Sequence, residues 1–160
     1  MKTKKKGNLF LLILTMLSVV SCQNNDIYFQ YQQVNPDGWS KDSIYTFDIN
    51  IPDTTTSYNM YINLRHTPDY SYQNLWLFLS QQTPDSIISK DTIEFYLANN
   101  RGEWLGTGSG GLKEMPVLYE QNKIFKKAGI YQISICHGMR NDLLKGVNDI
   151  GIRVERTEKP

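Results

Sequence analysis

The sequence predicts an all-β domain, an antiparallel β-sandwich of about eight short strands with a jelly-roll or immunoglobulin-like arrangement, and three observations carry that expectation. Apolar residues alternate with polar ones at a period of two between closely spaced turn signals. Aromatic residues reach 12%, ten of them tyrosines, in segments with few long alanine, leucine or glutamate runs. Strands do not alternate with helical patterns, so a parallel βαβ sheet is not expected. The 160 residues are 21% charged and 40% hydrophobic, with a mean hydropathy of -0.44. These values fit one soluble domain and argue against disorder or a multi-span membrane protein.

A targeting segment precedes the domain. Lys2, Lys4, Lys5 and Lys6 stand before an apolar run of twelve residues, Leu9 to Val20. As a helix that run rises about 18 Å, short of the ~30 Å hydrocarbon core, so it reads as the removable core of a signal peptide. Val19-Val20-Ser21-Cys22 follows and resembles the bacterial lipobox. Cys22 is then the lipidation site, because its thiol accepts a diacylglyceryl group as a thioether, and small Ser21 gives the lipoprotein signal peptidase access to the bond. One acyl chain binds a bilayer only marginally, whereas the two or three of a lipoprotein anchor it durably. The expected organisation is a lipoprotein signal peptide over 1–21, a lipidated N-terminus and tether over 22–38, and the β-sandwich over 39–160.

Removing residues 1–21 takes four of the 17 basic residues and leaves 13 against 16 acids, a side-chain charge of −3. A phosphate-binding surface rests on clustered Lys and Arg, so nucleic acid is not an expected partner. With Cys22 consumed, Cys136 is the one remaining thiol and no internal disulfide is expected. Cys136 reads as a quiet packed residue rather than a nucleophile.

Along the exported chain, amide-rich Gln23 to Asn35 reads as a tether whose later part docks on the domain, closed by the turn Pro36-Asp37-Gly38. Tyr45, Phe47 and Ile49 mark one strand, Tyr58, Met60, Ile62 and Leu64 the next, and Leu75, Leu77 and Leu79 a third, in alternation with Trp76 and Phe78. Pro52-Asp53, Thr67-Pro68-Asp69 and Thr83-Pro84-Asp85-Ser86 separate them. Ile93, Phe95 and Leu97 continue the pattern, Asn99-Asn100-Arg101-Gly102 reads as a hairpin turn, and Trp104-Leu105 returns. After a glycine-rich loop, Val117 to Tyr119, Ile130 to Cys136 and Ile150 to Val154 complete the strands, with one helical turn expected near Asp142 to Lys145.

Several of these strings together resemble the GldH family of gliding-motility lipoproteins. They are the signal peptide and lipobox, Tyr31 through Asn35-Pro36-Asp37-Gly38-Trp39-Ser40-Lys41-Asp42-Ser43, Tyr58-Asn59-Met60-Tyr61-Ile62-Asn63-Leu64-Arg65, Tyr72-Gln73-Asn74-Leu75, Gly102-Glu103-Trp104-Leu105-Gly106-Thr107-Gly108, and Gly146-Val147-Asn148-Asp149-Ile150-Gly151-Ile152-Arg153-Val154. The resemblance spans nearly the whole chain and carries no catalytic signature. It implies an envelope lipoprotein needed for surface gliding, linked to the type IX secretion and motility machinery, with other envelope proteins as partners. It names a process and not a reaction.

The residues that could carry chemistry mostly have a plainer reading. Gly106 to Lys113 superficially suggests a phosphate cradle, but Leu112 and Glu114 break the required Gly-Lys-Ser/Thr order, so a tight inter-strand loop is expected. Thr107 likewise rules out a nucleophile elbow at Ser109. His66 and His137 are the two histidines and neither has a partner at zinc spacing. Calcium ligands drawn from Asp69, Asp85 or Asp149 compete with turn roles for the same aspartates. No metal, cofactor or catalytic residue is expected, and the protein reads as no enzyme.

Tyr70 and Tyr72, in a loop with Gln73 and Asn74, suit sugar or peptide binding, with Trp39 and Trp104 as further large rings. Trp76, inside an apolar strand, reads as core. Asp42-Ser43-Ile44, Asp53-Thr54-Thr55, Asp85-Ser86-Ile87 and Asp91-Thr92-Ile93 resemble the acceptor tripeptide of a bacterial general O-glycosylation system, which makes Ser43, Thr54, Ser86 and Thr92 candidate modification sites. Hairpin architecture generates the same tripeptides. The expected function is that of a non-catalytic structural or assembly lipoprotein of the gliding and secretion apparatus; an envelope-anchored glycan-binding module is the alternative. Gln23-Asn24-Asn25-Asp26 carries one acid, which favours the periplasmic side of the outer membrane.

Overall fold

A computed structural model describes residues 25–157. The signal peptide, Cys22 and the first residues of the tether lie outside them. Ten strands follow in order: β1 Asp26–Gln33, β2 Trp39–Ser40, β3 Tyr45–Ile51, β4 Ser57–His66, β5 Asn74–Gln82, β6 Ile88–Tyr96, β7 Lys113–Ile124, β8 Gly129–His137, β9 Leu143–Leu144 and β10 Val147–Arg156. Among the described residues there is no helix. Every pairing is antiparallel, as the period-two pattern predicts.

The pairings nest. β1 pairs with β10, β2 with β9, β3 with β8, β4 with β7 and β5 with β6, so each strand meets its mirror position along the chain. The chain is thus one long antiparallel ribbon whose tip is the β5–β6 turn. Rolling that ribbon adds two ladders, β10 with β4 and β5 with β8. The result is a first sheet β1-β10-β4-β7 and a second sheet β3-β8-β5-β6, with β2-β9 as a short rung between arms. This is the jelly-roll solution to closing an all-β domain, not the immunoglobulin one.

Alternation decides which residues fill the space between the sheets. In the first sheet Tyr58, Met60, Ile62 and Leu64 of β4 face inward beside Ile150, Ile152 and Val154 of β10. In the second, Phe47, Ile49 and Ile51 of β3, Leu75, Leu77 and Leu79 of β5, and Tyr131, Ile133 and Ile135 of β8 face them. Aromatic rings plug both ends, where twisted sheets splay. Tyr58, Phe125 and Tyr131 stack edge to face at 5.7 and 4.7 Å at the end where β1 begins. Trp39 meets Tyr45 and His137 at 5.3 and 5.5 Å at the other end.

Two segments differ from the sequence reading. Residues 26–33, read as part of the tether, form edge strand β1, ahead of the expected boundary at residue 39; Gln30, Gln32 and Gln33 hide the strand from a hydropathy pattern because an edge strand keeps much of its surface wet. The helical turn expected near Asp142 to Lys145 is instead β9, where Leu144 is buried opposite Trp39 and the Lys41 amide donates to the Asp142 carbonyl at 3.0 Å. Tertiary pairing there overrides a local preference. The hairpin turn at Asn99 is present: the Asn99 side-chain carbonyl accepts from the amides of Arg101 and Glu103.

The two faces of a strand should differ in energy. Ile62→Ala, on the buried face of β4, is expected to lower unfolding free energy by about 2–4 kcal/mol, and Leu118→Ala, outward on β7, by less than about 0.5 kcal/mol in the same urea titration. Equal costs would contradict this inside-outside assignment.

Candidate functional site

β5 reads Leu75-Trp76-Leu77-Phe78-Leu79, apolar on both faces, and register alone determines which set is buried. The leucines are inside, which puts Trp76 and Phe78 on the outer face of the second sheet at 38% and 48% exposure. Phe78 lies between Thr92 of β6 and Cys136 of β8, and Trp76 stands opposite Glu94. Gly138 makes this arrangement possible. A Cβ there would sit 3.1 Å from Phe78 Cζ and 3.2 Å from Trp76 Cβ, so the Phe78 ring and the base of the Trp76 side chain lie over bare backbone. The Gly138 amide donates to the Trp76 carbonyl at 2.6 Å, and the Trp76 amide donates to Met139 Sδ at 3.4 Å.

Beside these rings runs an open groove of about 370 Å³ lined by Tyr72, Asn74, Trp76, Met139, Arg140 and Asn141. Its polar members are partly held in place. The Tyr72 hydroxyl donates to Asn141 Oδ1 at 2.7 Å, and Asn74 Nδ2 donates to Glu94 Oε1 at 2.6 Å. Toward the other end of the sheet the outer face becomes more polar, with Thr46, Ser134, Ser80 and Lys90 in one cross-strand row and Asp48, Gln132, Gln82 and the exposed Ile88 in the next. An aromatic ledge beside amides and a guanidinium can stack on a flat ligand face and donate hydrogen bonds around it.

Of the four aromatic residues singled out as surface candidates, only Tyr72 lines this groove. Trp39 is fully buried, and its indole donates to the Ser43 carbonyl at 3.1 Å. Tyr70 is buried too, its hydroxyl donating to the Asn74 carbonyl at 2.8 Å while its ring packs against His66 and Tyr72. Neither presents a face to solvent, which corrects the reading of both as surface residues. Trp104 is half-buried with its ring 4.6 Å from His66. Trp76, read as core, is the exposed ring. Loop tyrosines fold inward because the open end of the sandwich has to be filled, and the outward half of an all-apolar strand has nowhere to go.

The remaining candidate groups hold the fold. His66 Nδ1–H donates to the Thr67 carbonyl at 3.0 Å and His137 Nε2–H to the Trp39 carbonyl at 3.1 Å. The other ring nitrogen of each is buried without a partner. Burial pushes both imidazoles below their ordinary value, with Lys113 adding to the effect at His66 and the Trp39 carbonyl opposing it at His137. Burial raises the Cys136 thiol, which keeps it a poor nucleophile. Asp69 lies in the β4–β5 loop, Asp85 at the opposite end against Lys127, and Asp149 on the outer face opposite Arg65, so the structure does not bring these three together for calcium. Among the described residues no three His, Cys, Asp or Glu side chains are placed to share a metal ion.

The glycine-rich segment is a tight loop into β7. Thr107 and Glu114 exchange backbone hydrogen bonds at 3.0 and 2.7 Å, and at Gly108, with φ +149°, a Cβ would meet the Leu112 carbonyl at 2.2 Å. Of the tripeptide hydroxyls, Thr54, Ser86 and Thr92 are exposed and Ser43 is half-buried. Three of their aspartates have local hydrogen-bond partners of their own. Asp53 accepts from the Thr55 and Thr56 amides, Asp85 from the Thr83 hydroxyl, and Asp91 from the Thr92 amide.

The model of the GldH lipoprotein family matches residues 26–154. The chain is 33% identical over 158 residues to a gliding motility lipoprotein GldH homolog of Christiangramia forsetii, with 94% of this chain and 96% of that one covered. It is 32% identical over 165 residues to the gliding motility lipoprotein GldH of Flavobacterium johnsoniae, with 99% and 100% covered. Among solved structures, a family GH115 4-O-methyl-α-glucuronidase aligns with a TM-score of 0.42 at 12% identity over 81% of this chain and 16% of that one. The VP2 subviral particle of infectious bursal disease virus aligns at 0.36 and 17% identity over 83% of this chain and 31% of that one. The chain therefore spans about a sixth and a third of these two solved chains.

The buried histidines set a pH dependence. Their native values lie below the ordinary value of 6.5, so between the two the unfolded chain binds more protons and stability rises with pH. The contribution is full above about pH 6.5 and is lost as pH falls through the native values. Asp53, held near 2 chiefly by the Thr56 amide, and Asp85, held near 2 chiefly by Lys127, lose their contributions only at lower pH. The urea midpoint is expected to fall between pH 7.5 and pH 5; an unchanged midpoint would contradict neutral buried imidazoles.

Proposed function

The chain belongs to the GldH lipoprotein family, and on that premise we propose that it serves as a non-catalytic structural or assembly component of the bacterial gliding-motility and type IX secretion apparatus. It is held in the outer membrane, on the periplasmic side, by acylated Cys22, and its partners are other envelope proteins. The observation that carries this reading is the aromatic ledge of Trp76 and Phe78 on the open face of the second sheet. Elsewhere the groups with chemical potential are tied into the fold, His66 and His137 to backbone carbonyls and the acids to turns and ion pairs. Large rings left half in solvent beside a groove of mixed polarity are the composition of a recognition surface.

The alternative, an envelope-anchored glycan-binding module, draws on the same place. Tyr72, Asn74, Arg140 and Asn141 around Trp76 offer one stacking face and several planar donors, which is how a sugar ring is held. The two readings share a surface and differ in ligand, and one set of variants separates them.

Two outcomes are expected. Alkyne-fatty-acid labelling of cells marks the wild-type protein and not Cys22→Ser; labelling of both would remove the anchor. In pull-downs from mildly solubilised native envelopes, the tagged lipidated protein enriches motility or secretion components, and Trp76→Ala with Phe78→Ser reduces that enrichment at least about tenfold, the loss of one hot-spot pair. Undiminished enrichment would sink the ledge as the partner surface, and a Tyr72-dependent signal on a glycan array without protein partners would favour the alternative.

A further inference from the structure

Acylation of Cys22, proposed above, fixes more than location. β1 begins at Asp26, four residues after Cys22, and four extended residues span at most about 14 Å. The end of the sandwich where β1 begins is therefore held close to the lipid surface. That end is a definite set of loops, 52–56, 83–87 and 125–128, together with the close of β10. Contacts knit it together. The Arg156 amide donates to the Asn25 carbonyl at 2.9 Å, the Thr157 amide to the Ser57 carbonyl at 3.0 Å, Gly129 lies against Pro84, and Lys127 pairs with Asp85 at 2.8 Å.

The chemistry of this end suits an interface between hydrocarbon and phosphate. Ile87, Ile88, Ile124 and Ile130 are each exposed by 59% or more. Lys126 and Arg156 are exposed beside them, and neither makes an ion pair among the described residues. Branched aliphatic side chains next to exposed cations partition into the headgroup region of anionic bilayers. A gap of about 14 Å also excludes a globular protein from this place, since a small domain is about 30 Å across.

We propose that this end of the sandwich is a membrane-docking surface, with Ile87, Ile88 and Ile124 in contact with the lipid headgroup region and Lys126 at the level of the phosphates. Docking gives the domain a fixed orientation. The Trp76 groove lies six residues back along β5 from Gln82, about 20 Å from the docked end at ~3.3 Å per residue.

The test uses the full lipidated chain in vesicles of phosphatidylethanolamine and phosphatidylglycerol. In a Cys136→Ser background, Ile87→Cys, Ile124→Cys, Leu105→Cys and Leu143→Cys each carry a polarity-sensitive fluorophore, and doxyl-labelled lipid serves as quencher. All four positions are exposed, so labelling leaves the core intact. Quenching at 87 and 124 is expected to exceed that at 105 and 143 by at least about threefold, as for side chains at headgroup depth. Equal or reversed quenching of protein that floats with the vesicles would overturn the docking surface and leave the anchor standing. Protein that does not float at all would overturn both.

Discussion

The fold hangs on one antiparallel ribbon rolled over itself. Because each strand pairs with its mirror position along the chain, from β1 with β10 down to β5 with β6, the tip decides which strands meet out to the termini, and β-bulges adjust the register in β1–β10 and β4–β7. A shift of one residue anywhere would invert inside and outside along a whole strand. The constraint is met by the inward rows of isoleucine, leucine and tyrosine, which allow only one alignment of apolar faces. It also places the two ends of the molecule: the tip and the N-terminal strand begin at the same end, and the long β6–β7 loop closes the other.

Much of that was legible in the sequence. Tyr58, Met60, Ile62 and Leu64 alternate cleanly, and so do Phe47, Ile49 and Ile51, and all of them are buried where the period puts them. The turn residues also read true, since Asn99 and Asp53 accept the backbone amides that their positions require. What failed did so for physical reasons. Leu75 to Leu79 is apolar on both faces, so its period marks a strand without saying which ring is outside. β1 is rich in glutamine because it is an edge, and β9 is two residues long and exists through Trp39 rather than through its own sequence. Tyr70 looked like a loop residue and is one, yet its ring fills the mouth of the sandwich. Long-range pairing decides such cases, and a local window does not contain it.

The site follows from the same constraint. Once the leucines of β5 are committed to the core, Trp76 and Phe78 must stand on the outer face, and Gly138, just past β8, leaves room for the Phe78 ring. The groove beside them is built from the β4–β5 and β8–β9 connections, which meet only because β5 and β8 pair. Family membership supplies the process, and the exposed ledge of Trp76 and Phe78 is the surface proposed above to meet other envelope proteins.

The central claim is that the outer face of the second sheet is where this protein meets its partners. The most direct measurement is site-specific photocrosslinking in living cells of the native host, with benzoylphenylalanine at Phe78 on that face and, separately, at Phe29 on the outer face of the first sheet; both positions are exposed. The account requires crosslinks to envelope proteins from position 78 and none from position 29. Crosslinks confined to position 29, or absent from both, would contradict it.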